Sequence, residues 1–217
     1  MDKRKLIIIG LAAVAGLTIL GWLIYESNKP KPGQKIVEDC SNYTDFAGIQ
    51  APETEDKCRI HVPVGSEVKY GTNPPVFGPH YAEWTKAGIF DTPLDDRNTT
   101  HSLEHGYVIM YYKCEVKSEG TRSSTGTPPG KVENGQASPS AELNFTAECQ
   151  NRKSQLEAIY SKKGKHKQIV VGRPSLDTNY ALAAWGYLDK FDEFDEKRIT
   201  TFIDAHLDHG PEKTMES

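Results

Sequence analysis

Charged residues are absent from one long stretch of this sequence, LIIIGLAAVAGLTILGWLIY at residues 6–25. Twenty uncharged residues do not suit a solvated surface; as a helix they cross a hydrocarbon core of roughly 30 Å. An A-x-A-like cleavage site is also lacking, which argues for a retained anchor rather than a cleaved signal peptide. None of the four cysteines, Cys40, Cys58, Cys114 and Cys149, sits in a C-x-x-C pair, so a dithiol redox motif has no support. G-x-S-x-G is missing, and with it any sign of a serine hydrolase. TGTPPGK has only three residues between Gly126 and Gly130, and Val132 stands where a phosphate loop needs Ser or Thr. No basic stripe with interleaved aromatics occurs. From residue 30 onward 22 Lys and Arg face 28 Asp and Glu, a balance of −6, which argues against nucleic acid as a partner.

What is present organises itself around the uncharged stretch. Lys3, Arg4 and Lys5 precede it, and Trp22 and Tyr25 lie at its far end. The positive-inside rule and the aromatic belt give a single-pass membrane protein with a cytoplasmic tip at residues 1–5, a transmembrane helix at 6–25 and an extracytoplasmic remainder. Lys29, Lys31 and Lys35 weaken the charge bias. The lipid bilayer is the one partner so indicated, and no protein partner is. Residues 26–37, polar and proline-rich, read as a tether. Residues 38–59 form a loop-rich lead-in, residues 60–212 one globular domain, and residues 213–217 a tail. Within the domain, 117–140 is Gly/Ser/Thr/Pro-rich with almost no apolar content, a flexible insertion too polar to join a core.

An oxidising exterior favours disulfides. Four cysteines allow three connectivities. Cys40–Cys58 with Cys114–Cys149 is preferred, because each bond closes a loop around a polar stretch; four free thiols are the alternative in a reducing compartment. NYT at Asn42, NTT at Asn98 and NFT at Asn144 match the glycosylation sequon, as an exposed domain permits.

The fold class expected is α/β (α+β), a mixed sheet with helices. IHVPVGSEVKYG is a β-type stretch with a turn at Gly65, GTNPPVFGPHY a proline-set turn, YAEWTKAGIF a short helical turn ending at Gly88, and DTPLDDRNTT a loop. GYVIMYYKCEV, residues 106–116, is the clearest strand. A helix follows at about 146–163, then a strand at QIVVG, another at YALAAWGYL, and a last helix capped by Asp195 and stopped by Gly210 and Pro211. The order strand, helix, strand, strand, helix occurs also in thioredoxin-like folds, a likeness of topology that says nothing of activity.

The chemistry concentrates in HSLEHG, residues 101–106. His101 and His105 share a face if residues 100–105 form one helical turn, with Thr99 or Thr100 as cap. Two imidazoles so placed clamp a transition metal, Cu or Zn. His80, in the proline-set turn, is the third candidate ligand. Met110 on the following strand is a candidate soft ligand for copper, and equally a core residue. Glu104 is a candidate base or a partner that orients a ligand. H-x-x-E-H is also the inverted zinc-protease pattern, but Gly106 and a β-type run follow at once where that class needs a long helix. His206 and His209 suit the C-terminal end of the last helix. DKFDEFDE suits its N-terminal end, and its spacing is not that of an EF-hand. Three functions follow: a histidine-rich site binding or delivering a metal, a small-pocket enzyme with Glu104 or a histidine as general base, and a surface interaction domain whose histidines only hold the turn.

VKYGTNPPVFGPHYAEWTKAGIF, HSLEHGYVIMYY, ALAAWGY and the final ITTFIDAH…GPE together resemble the family called domain of unknown function 3105, over about residues 60–212. The residues that carry the resemblance are Pro74, Pro75, Gly78, His80, His101, Glu104, His105, Gly106 and Trp185. It implies a membrane-anchored protein with an external domain and no settled activity. The 117–140 insertion and the four cysteines lie outside the family pattern.

Overall fold

Residues 3–27, 30–37, 40, 45–46, 49–50, 57–117 and 142–215 are described in a computed structural model of the chain. The chain divides into two units, residues 1–31 and 32–217. In the first, α1 runs from Lys3 to Ser27, and apolar side chains such as Leu11, Leu17, Trp22 and Tyr25 are exposed along it. Among the described residues no helix is long and apolar enough to cross a membrane, so the span expected at residues 6–25 is a proposal taken up below.

The second unit is a mixed α/β fold. Its strands are β1 (Gln34–Lys35), β2 (Asp45–Phe46), β3 (Ile49–Gln50), β4 (Gly88–Phe90), β5 (Val108–Tyr112), β6 (Gln168–Gly172), β7 (Tyr180–Ala184) and β8 (Tyr187–Phe191); its helices are α2 (Asp96–Glu104), α3 (Ala147–Lys162) and α4 (Glu196–His206). Six strands form one sheet in the order β1-β8-β7-β5-β6-β4, and β2 and β3 pair separately. β4, β6 and β5 run parallel, while β7, β8 and β1 are antiparallel to their neighbours.

β5 and β6 are buried along their whole length, which is why both read as continuous apolar or aromatic runs rather than alternating ones. Alternation still sorts their side chains. Val108, Met110 and Tyr112 pack with Leu156 and Ile159 of α3 and with Ile199, Phe202 and Ile203 of α4. Ile109 and Tyr111 pack with Val76, Phe77, Leu103 and Leu176 on the other face. Thr146 caps α3 by accepting from Cys149 N, and Asp195 caps α4 by accepting from Arg198 N. Both disulfides form in the pairing preferred from sequence, Cys40–Cys58 and Cys114–Cys149.

Several expectations are corrected. YALAAWGYL is not one strand: the chain reverses at Trp185–Gly186, where Gly186 takes φ +73°, and YALAA pairs with YLDKF as a hairpin. From residue 106 the order thus carries one strand more than expected. YAEWTKAGIF holds no helical turn; its last three residues are edge strand β4, parallel to β6. DTPLDDRNTT is not all loop, because Asp95 accepts from Arg97 N and starts α2, a cap four residues earlier than Thr99. IHVPVGSEVKYG contributes only an isolated bridge, His61 to His80. The end of the tether joins the domain: Gln34 and Lys35 pair with β8, and the buried His206 ring donates from Nε2 to Pro32 O at 2.8 Å instead of answering the helix end. Glycine 210 does not stop α4, which ends at His206. The insertion, save for Lys117 at its start, lies outside the described residues.

Candidate metal centre

α2 is an unusual helix. Its buried residues are Asp96, Thr99, Thr100, His101, Ser102, Leu103 and Glu104, six of them polar. Buried polar groups are costly unless paired, and most of these are paired, the Thr100 hydroxyl being an exception. Asp96 forms a bidentate ion pair with Arg173 at 2.6 and 2.9 Å, and Arg173 also donates to Asn73 Oδ1 at 2.6 Å. Ser102 exchanges hydrogen bonds with the Thr85 backbone. The pairing fixes the helix against β6 and against the Asn73–Pro74 turn, whose peptide bond is cis.

The helix ends in the histidine motif. His105 is its C-cap, with its N–H donating to His101 O. Gly106 takes φ +83°, and a Cβ there would lie 2.9 Å from the Asp208 Cα, so only glycine permits the turn and the approach of the C-terminal segment. That segment is tied down by Asp208 N to Gly106 O at 2.9 Å and Glu212 N to Glu104 O at 3.1 Å. Buried Lys167 donates to His105 O and Thr214 O.

His80 arrives from the proline-set turn. Gly78 N donates to Cys58 O, His80 N to Ile60 O, and Val62 N to His80 O. This short ladder sets His61 beside His80, and the Cys40–Cys58 disulfide anchors the segment that carries Arg59 and His61. The rings of His61, His80 and His101 lie 4.8 to 5.1 Å apart, centroid to centroid. With Glu104 they form a group whose donor atoms all lie within 4.8 Å of one another, a group able to hold a metal ion. A second such group is His101, His105 and Glu212.

Hydrogen bonds fix the tautomers. His80 Nδ1 lies 2.7 Å from Gly78 O, and His101 Nδ1 lies 2.7 Å from Tyr81 O. A carbonyl only accepts, so each Nδ1 carries a proton, and either ring, when neutral, has its lone pair on Nε2. His80 Nε2 lies 2.8 Å from Glu104 Oε2, yet it is a buried nitrogen without a hydrogen-bond partner. The separation suits a hydrogen bond and the alignment does not; the alignment decides, so the pair is a close contact of two donor atoms. Both side chains are buried, His80 at 0% exposure and Glu104 at 2%. The other Glu104 oxygen accepts from Arg59 Nε.

Burial, reinforced by His80 and His105 nearby, pushes the His101 imidazole down to about 4, so at neutral pH it is an uncharged ligand. Burial raises Glu104, but the close His80 ring and the Arg59 guanidinium outweigh it and hold the carboxyl down at about 2. So acidic a carboxylate is a poor proton acceptor at neutral pH and a good anionic ligand.

His80, His101 and Glu104, all singled out from sequence, therefore meet. His105 stands one step away, in the second group, with its ring 4.5 Å from that of His101 and 4.7 Å from that of Trp84. Met110 lies in the core under α3 and α4, away from both groups. Sequence reasoning missed His61, Arg59 and Glu212. The alternation of IHV, with Ile60 and Val62 buried and His61 exposed, was the available signal for His61. Trp185 packs on Phe77 and reaches His80 edge-on at 6.3 Å.

No curated protein matches the chain, and no solved structure does. One family model does, described as a protein of unknown function (DUF3105), over residues 61–127 and 143–217. The gap in the match, residues 128–142, falls mostly within the polar insertion, and the matched residues include His61, His80, His101, Glu104, His105 and Glu212. Since the match covers more than half of the sequence, the chain belongs to the DUF3105 family.

Proposed function

We propose that the domain binds a transition metal ion, for holding or delivery, through His61, His80, His101 and Glu104. The observation that carries this reading is the buried contact between His80 Nε2 and Glu104 Oε2. Two lone-pair-bearing atoms that close repel unless a cation lies between them. A proton there would line the pair up as a hydrogen bond; an ion bound by both would not. Ligands on a tetrahedral zinc with bonds near 2.0–2.1 Å are themselves about 3.3 Å apart, so the pair, at 2.8 Å, would open by about half an ångström to admit the ion. Three imidazoles and a carboxylate form a nitrogen-rich, sulfur-free set. With Met110 on the other face, nothing soft is supplied, so Zn(II) or Cu(II) suits the site better than Cu(I).

The same reading includes the anchor. Residues 6–25 carry no charge, and a helix of 25 residues, α1, extends for about 37 Å. Lys3, Arg4 and Lys5 orient it with the domain outside, where the two disulfides persist.

The test is metal binding by the full chain in detergent. One equivalent of Zn(II) or Cu(II) is expected per chain, lost in His101→Ala and bound much more weakly in His80→Ala. Binding no better than that of the His61/His80/His101 triple alanine variant would overturn the site. Protease added to intact cells should remove a C-terminal epitope; protection of that epitope until permeabilisation would overturn the orientation.

A further inference from the structure

Two metal-competent groups share one side chain. The inner group is His61, His80, His101 and Glu104, and the outer is His101, His105 and Glu212. The His101 ring has only one nitrogen to offer, since Nδ1 donates to Tyr81 O at 2.7 Å. Bridging two ions would require Nδ1 to lose its proton beside a carbonyl oxygen, which is repulsive. Both groups must therefore use Nε2.

We infer that His101, His105 and Glu212 form an outer position through which the ion enters and leaves the inner one, with His101 Nε2 as the shared ligand that makes the two positions mutually exclusive. This rests on the metal reading above and adds a route and a stoichiometry to it. Burial grades in the required direction. The carboxylate of the inner group, Glu104, is 2% exposed. That of the outer group, Glu212, is 44% exposed, with Oε2 at 3.7 Å from His105 Nε2. The distance is too long for a hydrogen bond and near the spacing of two ligands on one ion. Two anchors hold the outer carboxylate in reach. Glu212 N donates to Glu104 O, and Gly210 lies so close to that carbonyl that a Cβ would overlap it. The carboxylates of the two positions are thus tied together through one backbone group. Trp84, partly exposed, walls the outer group by packing on His105, and it also lines a cleft of about 580 Å³ with Tyr107 and Lys167. Half-exposed Glu212 is where solvent meets the outer group. A ring that keeps its Nδ1 bond while Nε2 changes ligand partners can pass an ion across without ever releasing it.

The competing route is direct entry past exposed His61, and exchange kinetics separate the two. The full chain in detergent is loaded with Zn(II), and release to a chromophoric chelator is followed, as is loading of the metal-free chain. Glu212→Gln, at a half-exposed side chain, and His105→Ala are compared with the unsubstituted chain. The expected result is one ion per chain in all three, with affinity nearly unchanged. Loading and release should both slow severalfold and by the same factor, because their ratio sets the affinity. In His80→Ala a weaker single ion should remain, and Glu212→Gln added to it should remove that ion. Unchanged exchange rates in both single variants, or two ions bound at once by the unsubstituted chain, would overturn the route while leaving the inner site standing. No ion bound by the unsubstituted chain would overturn the site and the route together.

Discussion

The two faces of the sheet are built on opposite terms. Under α3 and α4 the packing is conventional: Met110, Tyr112, Leu156, Ile199 and Phe202 fill one apolar cluster, and α4 buries Ile199, Phe202 and Ile203 at helical spacing. On the other face α2 buries one apolar residue, Leu103, and six polar ones. Apolar burial stabilises without direction, whereas each buried polar group must find a partner or cost the fold. A chain that needed only a cover for this face would use the first device twice. The second device places imidazoles and a carboxylate at fixed orientations in a dry setting, which a ligand site requires and a core does not.

The sharpest way to break the contrast is at the buried ion pair that docks α2. Removing one member leaves the other charged, buried and alone, at a cost of about 3–5 kcal/mol. Asp96→Ala should therefore lower the denaturation midpoint as far as Phe202→Ala does on the apolar face, where loss of a ring from the core costs about 3–5 kcal/mol. Urea titration compares them directly. A small effect of Asp96→Ala would mean that the polar face is not held by its pairings.

Acid should separate the faces next. His101 is held down at about 4 in the folded state, against about 6.5 unfolded. Between those values the unfolded chain binds a proton that the folded chain does not, so stability rises with pH across the window. It is fully present above about pH 6.5 and lost as pH falls toward 4, by an amount on the order of 3 kcal/mol. Glu104, held at about 2, adds a further loss in the same direction, below its unfolded value near 4.3. Stability of the metal-free chain measured at pH 7 and pH 5 should differ, and His101→Gln should flatten the difference. An equal pH dependence in that variant would remove His101 as its source.

The two disulfides extend the comparison. Each should contribute about 2–4 kcal/mol by restricting the unfolded chain, yet they serve different faces. Cys114 and Cys149 belong to the apolar cluster under α3. Cys58 precedes Arg59 and His61, and its carbonyl receives the Gly78 N–H. Replacing both cysteines of either pair by alanine should lower the melting temperature, but only loss of Cys40–Cys58 should weaken zinc binding. Equal zinc affinity in the two double variants would unlink the bond from the site.

The apolar face was largely legible in the sequence, because periodic apolar residues and capping side chains announce α3, β5, β6 and α4. Where the reading failed, local signal was lacking. DRNTTHSLE has no apolar period, so nothing in it announces a helix before the turn that carries His101 and His105. The small residues of YALAA and the reversal at Gly186 hid a hairpin inside what looked like one strand. The site was legible only where its residues are neighbours in sequence or sit in a rigid turn, as His101, Glu104 and His80 do. His61 comes by a single bridge and Glu212 by the return of the C-terminal segment, contacts that no spacing encodes. The apposition of His80 and Glu104 also recast Glu104, read from sequence as a base or an orienting partner, as a candidate ligand.

The smallest effect should come from the insertion, residues 117–140. Its composition offers almost no apolar residues to either face, and the family match is interrupted within it. Its two ends are held without it: Lys117 N donates to Glu142 O at 2.8 Å, Asn144 N to Glu115 O at 2.7 Å, and the Cys114–Cys149 bond closes the loop a few residues further on. Loop closure depends on length only logarithmically, about 0.6 kcal/mol per doubling, and a chain already closed by a disulfide gains less than that from shortening. Replacing residues 119–140 by a short Gly/Ser linker, with both cysteines kept, should therefore shift the melting temperature little and leave zinc affinity unchanged. A large destabilisation would show that the segment packs on the apolar face beside α3. A loss of metal with stability intact would show that it reaches the polar face instead.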